Sequence, residues 1–138
     1  MKQYDLVSQE DEWGCGVACV ASLLGITYQE AKNLVEDIKG RSVNAKPHGL
    51  ELHHIALALQ AEGVKVIADW DSAVHHPDGS IVCIGGKSRY KYEHYILKTP
   101  HGWMDPWFDL KKNNMVAKYR DDYPKGADFL VALIPVQA

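Results

Sequence analysis

The spacing of apolar residues changes once along this chain, near Val64, from a period of about 3.6 residues to a period near two. Ahead of the change, Val17, Val20, Ala21 and Leu24 share one helical face and Gly25 follows as a C-terminal cap, which predicts a helix from Gly16 to Leu24. Thr27-Tyr28-Gln29-Glu30 has capping-box spacing and opens a second helix carrying Leu34, Val35 and Ile38, stopped at Gly40. A third is expected from His48 to Glu62, ending at Gly63. Beyond the change, the expected strands are Val64–Ile67, Ile81–Ile84, Tyr90–Leu97, Gly102–Trp107 and Phe129–Ile134, with a polar loop from Asp69 to Ser80. This order predicts an α+β fold, with N-terminal helices packed on a C-terminal sheet of neighbouring antiparallel strands.

No repeat, low-complexity tract or Ser/Gly linker interrupts the 138 residues, so residues 1–138 are read as one domain. The 15 Lys and Arg against 18 Asp and Glu give a net charge of -3 and no basic stripe, which argues against nucleic acid as a partner. The first residues, Met1 to Leu6, lack the apolar core of a secretion signal, and no apolar run has the length of a membrane span. A cytoplasmic protein without membrane insertion is therefore expected. Three cysteines, Cys15, Cys19 and Cys83, make no closed disulfide framework and leave at least one thiol free.

Cys15 lies between Gly14 and Gly16 where the first helix begins. A thiol attacks as thiolate, and the first turn of a helix favours negative charge. The flanking glycines are expected to let a substrate backbone approach. Such a nucleophile needs an imidazole to move its proton. Of seven histidines, His94 alone falls inside a strand pattern that would fix its ring. If Pro100-His101 is a hairpin tip, paired residues sum to 201, and His94 then lies diagonally from Asp105 on one face, within side-chain reach. Asp105 precedes Pro106, where strand pairing should stop; Asp109 is a weaker candidate. An oxyanion site needs a second donor beside the Cys15 N–H, and Gln9, six residues earlier, can supply a carboxamide if residues 10–14 form a compact loop.

Gln9-x5-Cys15-Gly16-x-Ala18-Cys19, then His94-Tyr95-x-Leu97, then Asp105-Pro106, resembles the papain-like cysteine peptidases that remove double-glycine leader peptides in bacteriocin processing. The resemblance spans residues 9–107. It implies a papain-like fold, Cys15 as nucleophile, His94 as general base and acid, Asp105 as the orienting carboxylate and Gln9 as the oxyanion donor. It also implies a peptide or protein substrate cleaved after small residues such as Gly-Gly. Members of that family usually carry Asp directly before the cysteine, where this chain has Gly14, and the best known are fused to a transporter.

Other readings stand beside this one. Cys15 as a small buried hydrophobe is the common fate of a free cysteine. The same nucleophile also serves an acyltransferase or amidase, and an inert cleft would make a peptide-binding module. Cys15, Cys19, His53, His54, His75 and His76 prompt the question of a metal. There is no Cys-x-x-Cys and no His-Glu-x-x-His, and adjacent helical histidines are expected to point apart, so neither metal nor cofactor is expected.

Overall fold

The computed structural model describes residues 1–71, 76–86, 93–109 and 114–136. Among them, α1 (Cys15–Leu24), α2 (Tyr28–Lys39) and α3 (Leu52–Ala61) precede β1 (Val66–Asp69), β2 (Ile81–Gly85), β3 (His94–Thr99), β4 (Gly102–Asp105), β5 (Lys118–Arg120) and β6 (Asp128–Pro135). All strand pairs are antiparallel, in the order β1-β6-β2-β3-β4-β5. The fold is α+β, with the helices first in the chain and the sheet after them.

Helix ends follow local chemistry. Gly25, with φ of 69°, terminates α1 in the left-handed conformation that glycine adopts without steric cost. At α2 the capping box is complete: Thr27 Oγ1 accepts from the Glu30 N–H and Glu30 Oε1 accepts from the Thr27 N–H, both at 3.1 Å. α3 starts four residues later than the apolar spacing predicts. Residues 42–49 are instead gathered by the Lys39 ammonium, which donates to the carbonyls of Ser42, Ala45, Pro47 and Gly49. Gly49 turns with φ of 76° and its N–H reaches Val43 O.

The expected strand at Val64–Ile67 lies two residues later, because the Val64 N–H still closes the end of α3 on Leu59 O at 2.9 Å. The β3–β4 hairpin has the predicted register, with Leu97 opposite Met104, Lys98 opposite Trp103 and Thr99 opposite Gly102. Pairing ends at Asp105, as expected from Pro106, so β4 is shorter than the strand expected to Trp107; β3 continues to Thr99, and expected strand residues 90–92 lie outside those described. Two features depart from the expected run of neighbours. β6 lies between β1 and β2, and the unforeseen β5 pairs with β4.

Alternation then divides the sheet. Ile81, Cys83, Tyr95, Leu97, Met104, Val131 and Leu133 pack with α1 and its neighbouring helices in the main core. Val82, Ile84, Ile96 and Ala132 face the other way, beneath Trp103, Tyr123 and Phe129. α1 is the central helix: every residue from Gly16 to Leu23 is buried, as its near-continuous apolar sequence requires. Among the described residues, no helix is long and apolar enough to cross a membrane.

Candidate active site

Cys15 is the first residue of α1 and is half-buried. Gly14 is the N-cap, and its carbonyl accepts the first helical bond from the Ala18 N–H at 3.1 Å. No side chain caps this end. The first N–H groups of a helix have no partner within it and favour an anion or a developing oxyanion. Packing requires the glycines on either side. A Cβ on Gly14 would lie 2.0 Å from the Tyr28 hydroxyl oxygen, and one on Gly16 would crowd Leu50, Ile55 and Tyr95 at 3.1–3.3 Å.

His94 opens β3 and Asp105 closes β4, so antiparallel pairing brings the two to the same end of the hairpin. His94 Nε2 lies 2.7 Å from Asp105 Oδ1. A carboxylate only accepts, so Nε2 carries the proton and Nδ1 is left for the other partner of the ring, the Cys15 thiol. The structure thus brings three of the residues singled out in the sequence together: thiol, imidazole and carboxylate, remote in the chain, form one hydrogen-bonded row. Asp105, not Asp109, is the carboxylate at His94.

Burial of the His94 ring works against its charged form. The hydrogen bonds to Asp105 and Cys15, with the charges those groups carry, outweigh burial and raise its pKa to about 10. Asp105 is fully buried, which alone would favour the acid. Hydrogen bonds from His94, the Arg120 guanidinium and the Trp107 N–H instead hold its carboxyl below the usual carboxylate value. Oδ1 accepts from His94 and, at 3.0 Å, from the Trp107 N–H; Oδ2 accepts from Arg120 Nε at 2.7 Å. Arg120 escapes a reading of the sequence because it sits on a three-residue strand whose only signal is its alternation about Tyr119.

Gln9 is buried, and its N–H reaches Pro106 O at 3.3 Å, next to Asp105 in the chain. Its carboxamide nitrogen donates to the carbonyls of Asp11 and Glu12 at 2.9 and 3.0 Å, while Oε1 is buried without a partner among the described residues. Gln9 therefore braces the turn that leads into Cys15. Asp11 completes that turn by accepting from the Tyr28 hydroxyl at 2.6 Å, from Asn44 at 3.0 Å and from Lys32 at 3.1 Å. These donors hold its carboxyl below the ordinary range against the opposing effect of burial.

Cys19 and Cys83 are buried in the main core, and burial pushes both thiols up. At the start of α3, His53 and His54 do not point apart as expected: their ring centroids are 4.2 Å apart. Glu51 Oε2 approaches His53 Nδ1 at 3.4 Å, and the Glu51 N–H donates to His54 Nδ1 at 3.0 Å. These three could together offer ligand atoms to a cation, but His54 Nδ1 is already engaged in tying down the helix start. His75 lies outside the described residues; His76 is buried and stacks on Phe129 at 5.3 Å. The chain matches no protein-family model and no curated protein.

Proposed function

We propose that this protein is a papain-like cysteine peptidase that hydrolyses a peptide bond, in keeping with its resemblance to the double-glycine leader peptidases. The observation that carries the reading is the position of one ring: the His94 imidazole stands between the buried Asp105 carboxylate and the Cys15 thiol. In that arrangement His94 Nδ1 takes the thiol proton and the sulfur attacks the substrate carbonyl carbon. The resulting oxyanion is met by the Cys15 N–H and by Gln9, which releases one of its two backbone carbonyls to turn a hydrogen toward it. His94 then returns its proton to the leaving amine, the C–N bond breaks, and a thioester remains on Cys15. Water, its proton taken by His94, attacks the thioester and frees the acid and the thiol. Asp105 keeps Nε2 protonated throughout, and so keeps Nδ1 in the tautomer that the first step requires.

A full-length protein incubated with a peptide amide ending its acyl part in Gly-Gly is expected to release the amine, and Cys15→Ala is expected to abolish release while the fold persists. At pH 6, iodoacetamide is expected to alkylate Cys15 rapidly and spare the buried Cys19 and Cys83, with the rate lost in His94→Ala. Rapid alkylation without hydrolysis, but with transfer to an added amine, would favour acyl transfer. Sluggish alkylation of a folded protein would leave only a binding cleft.

A further inference from the structure

Asp105 faces two cations. Its side chain is wholly buried, with His94 on Oδ1 and Arg120 on Oδ2, each at 2.7 Å. Arg120 is itself well sheltered: the guanidinium lies over the Phe108 ring at 4.0 Å, a terminal nitrogen donates to Phe108 O, and 11% of its side chain is exposed. Nε, rather than the flexible end of a lysine, meets the carboxylate, so the backbone of β5 sets the approach. That backbone is fixed by pairing of Arg120 with Trp103 in β4, two residues before Asp105.

Charge accounting gives this contact a purpose. With the sulfur and the imidazole both charged, Cys15, His94 and Asp105 sum to one uncompensated negative charge in a buried place, which is costly. Adding Arg120 makes the set neutral. It stays neutral when the proton returns from His94 to sulfur. Among the described residues, the ionisable groups that act on the His94–Asp105 pair include Cys15 and Cys19 from α1 and Arg120 from β5; Glu93 lies against Cys83.

We infer that Arg120 is a positioning residue of this site, which locks the Asp105 carboxylate toward His94 and offsets its charge so that the imidazole can release its proton to a leaving group. The inference rests on the peptidase reading for its role in turnover, but its electrostatic part is measurable without turnover. Without Arg120, an unbalanced Asp105 holds the proton on His94 more tightly, and an acid that is too weak protonates the leaving amine slowly.

The test is an NMR titration of the His94 ring in full-length Cys15→Ala, where no thiol shares the proton. Adding Arg120→Gln is expected to raise the His94 midpoint by about one pH unit, while Arg120→Lys, which keeps the charge, moves it much less. With Cys15 present, Arg120→Gln is expected to lower kcat about tenfold with KM nearly unchanged. Should the Gln variant fail to fold, Phe108→Ala, which opens the guanidinium to water, is expected to raise the midpoint in the same direction. A His94 midpoint that stays put in a folded Arg120→Gln or Phe108→Ala protein would overturn the inference. A midpoint that moves in a protein that hydrolyses no peptide would overturn the peptidase reading and leave the charge balance standing.

Discussion

Gln9 carries two duties that point in different directions, and one substitution separates them. Its amide nitrogen ties together the carbonyls of Asp11 and Glu12, so the residue shapes the turn before Cys15 even without substrate. Its proposed second duty is to stabilise the oxyanion. Loss of one oxyanion donor costs on the order of a hundredfold or more in kcat. Gln9→Ala is therefore expected to reduce kcat by about that factor, and Gln9→Glu, which keeps the length but has no donor, to do the same. Alkylation of Cys15 by iodoacetamide, which forms no oxyanion, should change little in either variant. A comparable fall in alkylation would mean that Gln9 acts only by placing the sulfur, and an unchanged kcat would remove it from the site.

At the scale of elements, the turn into α1 is held by α2 through the Tyr28 hydroxyl and the Lys32 ammonium, both on Asp11. Tyr28, the first residue of α2, donates to Asp11 at 2.6 Å and fills the space that a side chain at position 14 would need. The resembled family usually carries Asp at that position; here Gly14 is required by a neighbour fourteen residues away. Gly14→Ala has no backbone difficulty, since φ is −101°, so its cost isolates the clash. Chemical denaturation is expected to show a loss of about 1–3 kcal/mol for Gly14→Ala, the usual range for forcing extra atoms into packed structure. Tyr28→Phe removes the hydroxyl that is struck, so the double variant should be more stable than the two losses added together predict. Additive losses would show that Gly14 is kept for another reason. This element boundary also marks where a sequence stops being legible. The capping box at Thr27 and the glycine at the end of α1 are local and were readable from residues three or four apart. The tight turn at Pro100-His101 was enough to set the β3–β4 register and with it the meeting of His94 and Asp105. The late start of α3 was not readable, because Lys39 captures carbonyls up to ten residues ahead of it. Nor was the place of β6 between β1 and β2, or the Arg120 contact fifteen residues from Asp105, since both depend on pairing that no local pattern encodes.

For the molecule as a whole, the row of charges at the end of the β3–β4 hairpin ties stability to pH. His94 is raised from 6.5 to about 10 on folding, so the folded state binds its proton more tightly than the unfolded chain does. That contribution is fully present below pH 6.5 and is lost as the pH rises toward 10. Asp105 is shifted the other way, below 3.8, so its contribution is present above that value and is lost as the pH falls through its lower folded value. Together they place the most favourable range for this cluster between about pH 4 and 6.5, toward the acid side of the range in which most proteins are most stable. Urea midpoints measured from pH 4 to 10 are expected to fall across the upper half of the series. Other groups titrate in the same interval, so the comparison that isolates the cluster is with His94→Gln. That variant should be less stable than the parent at pH 6, with the gap closing as the pH approaches 10. A gap that stays constant would mean that the His94 pKa is the same folded and unfolded, and one that widens as the pH rises would mean that the folded ring is neutral. A widening gap would mean that the resting site holds a neutral ring beside a thiol, so that His94 gains the proton it later gives to a leaving amine only as the sulfur attacks.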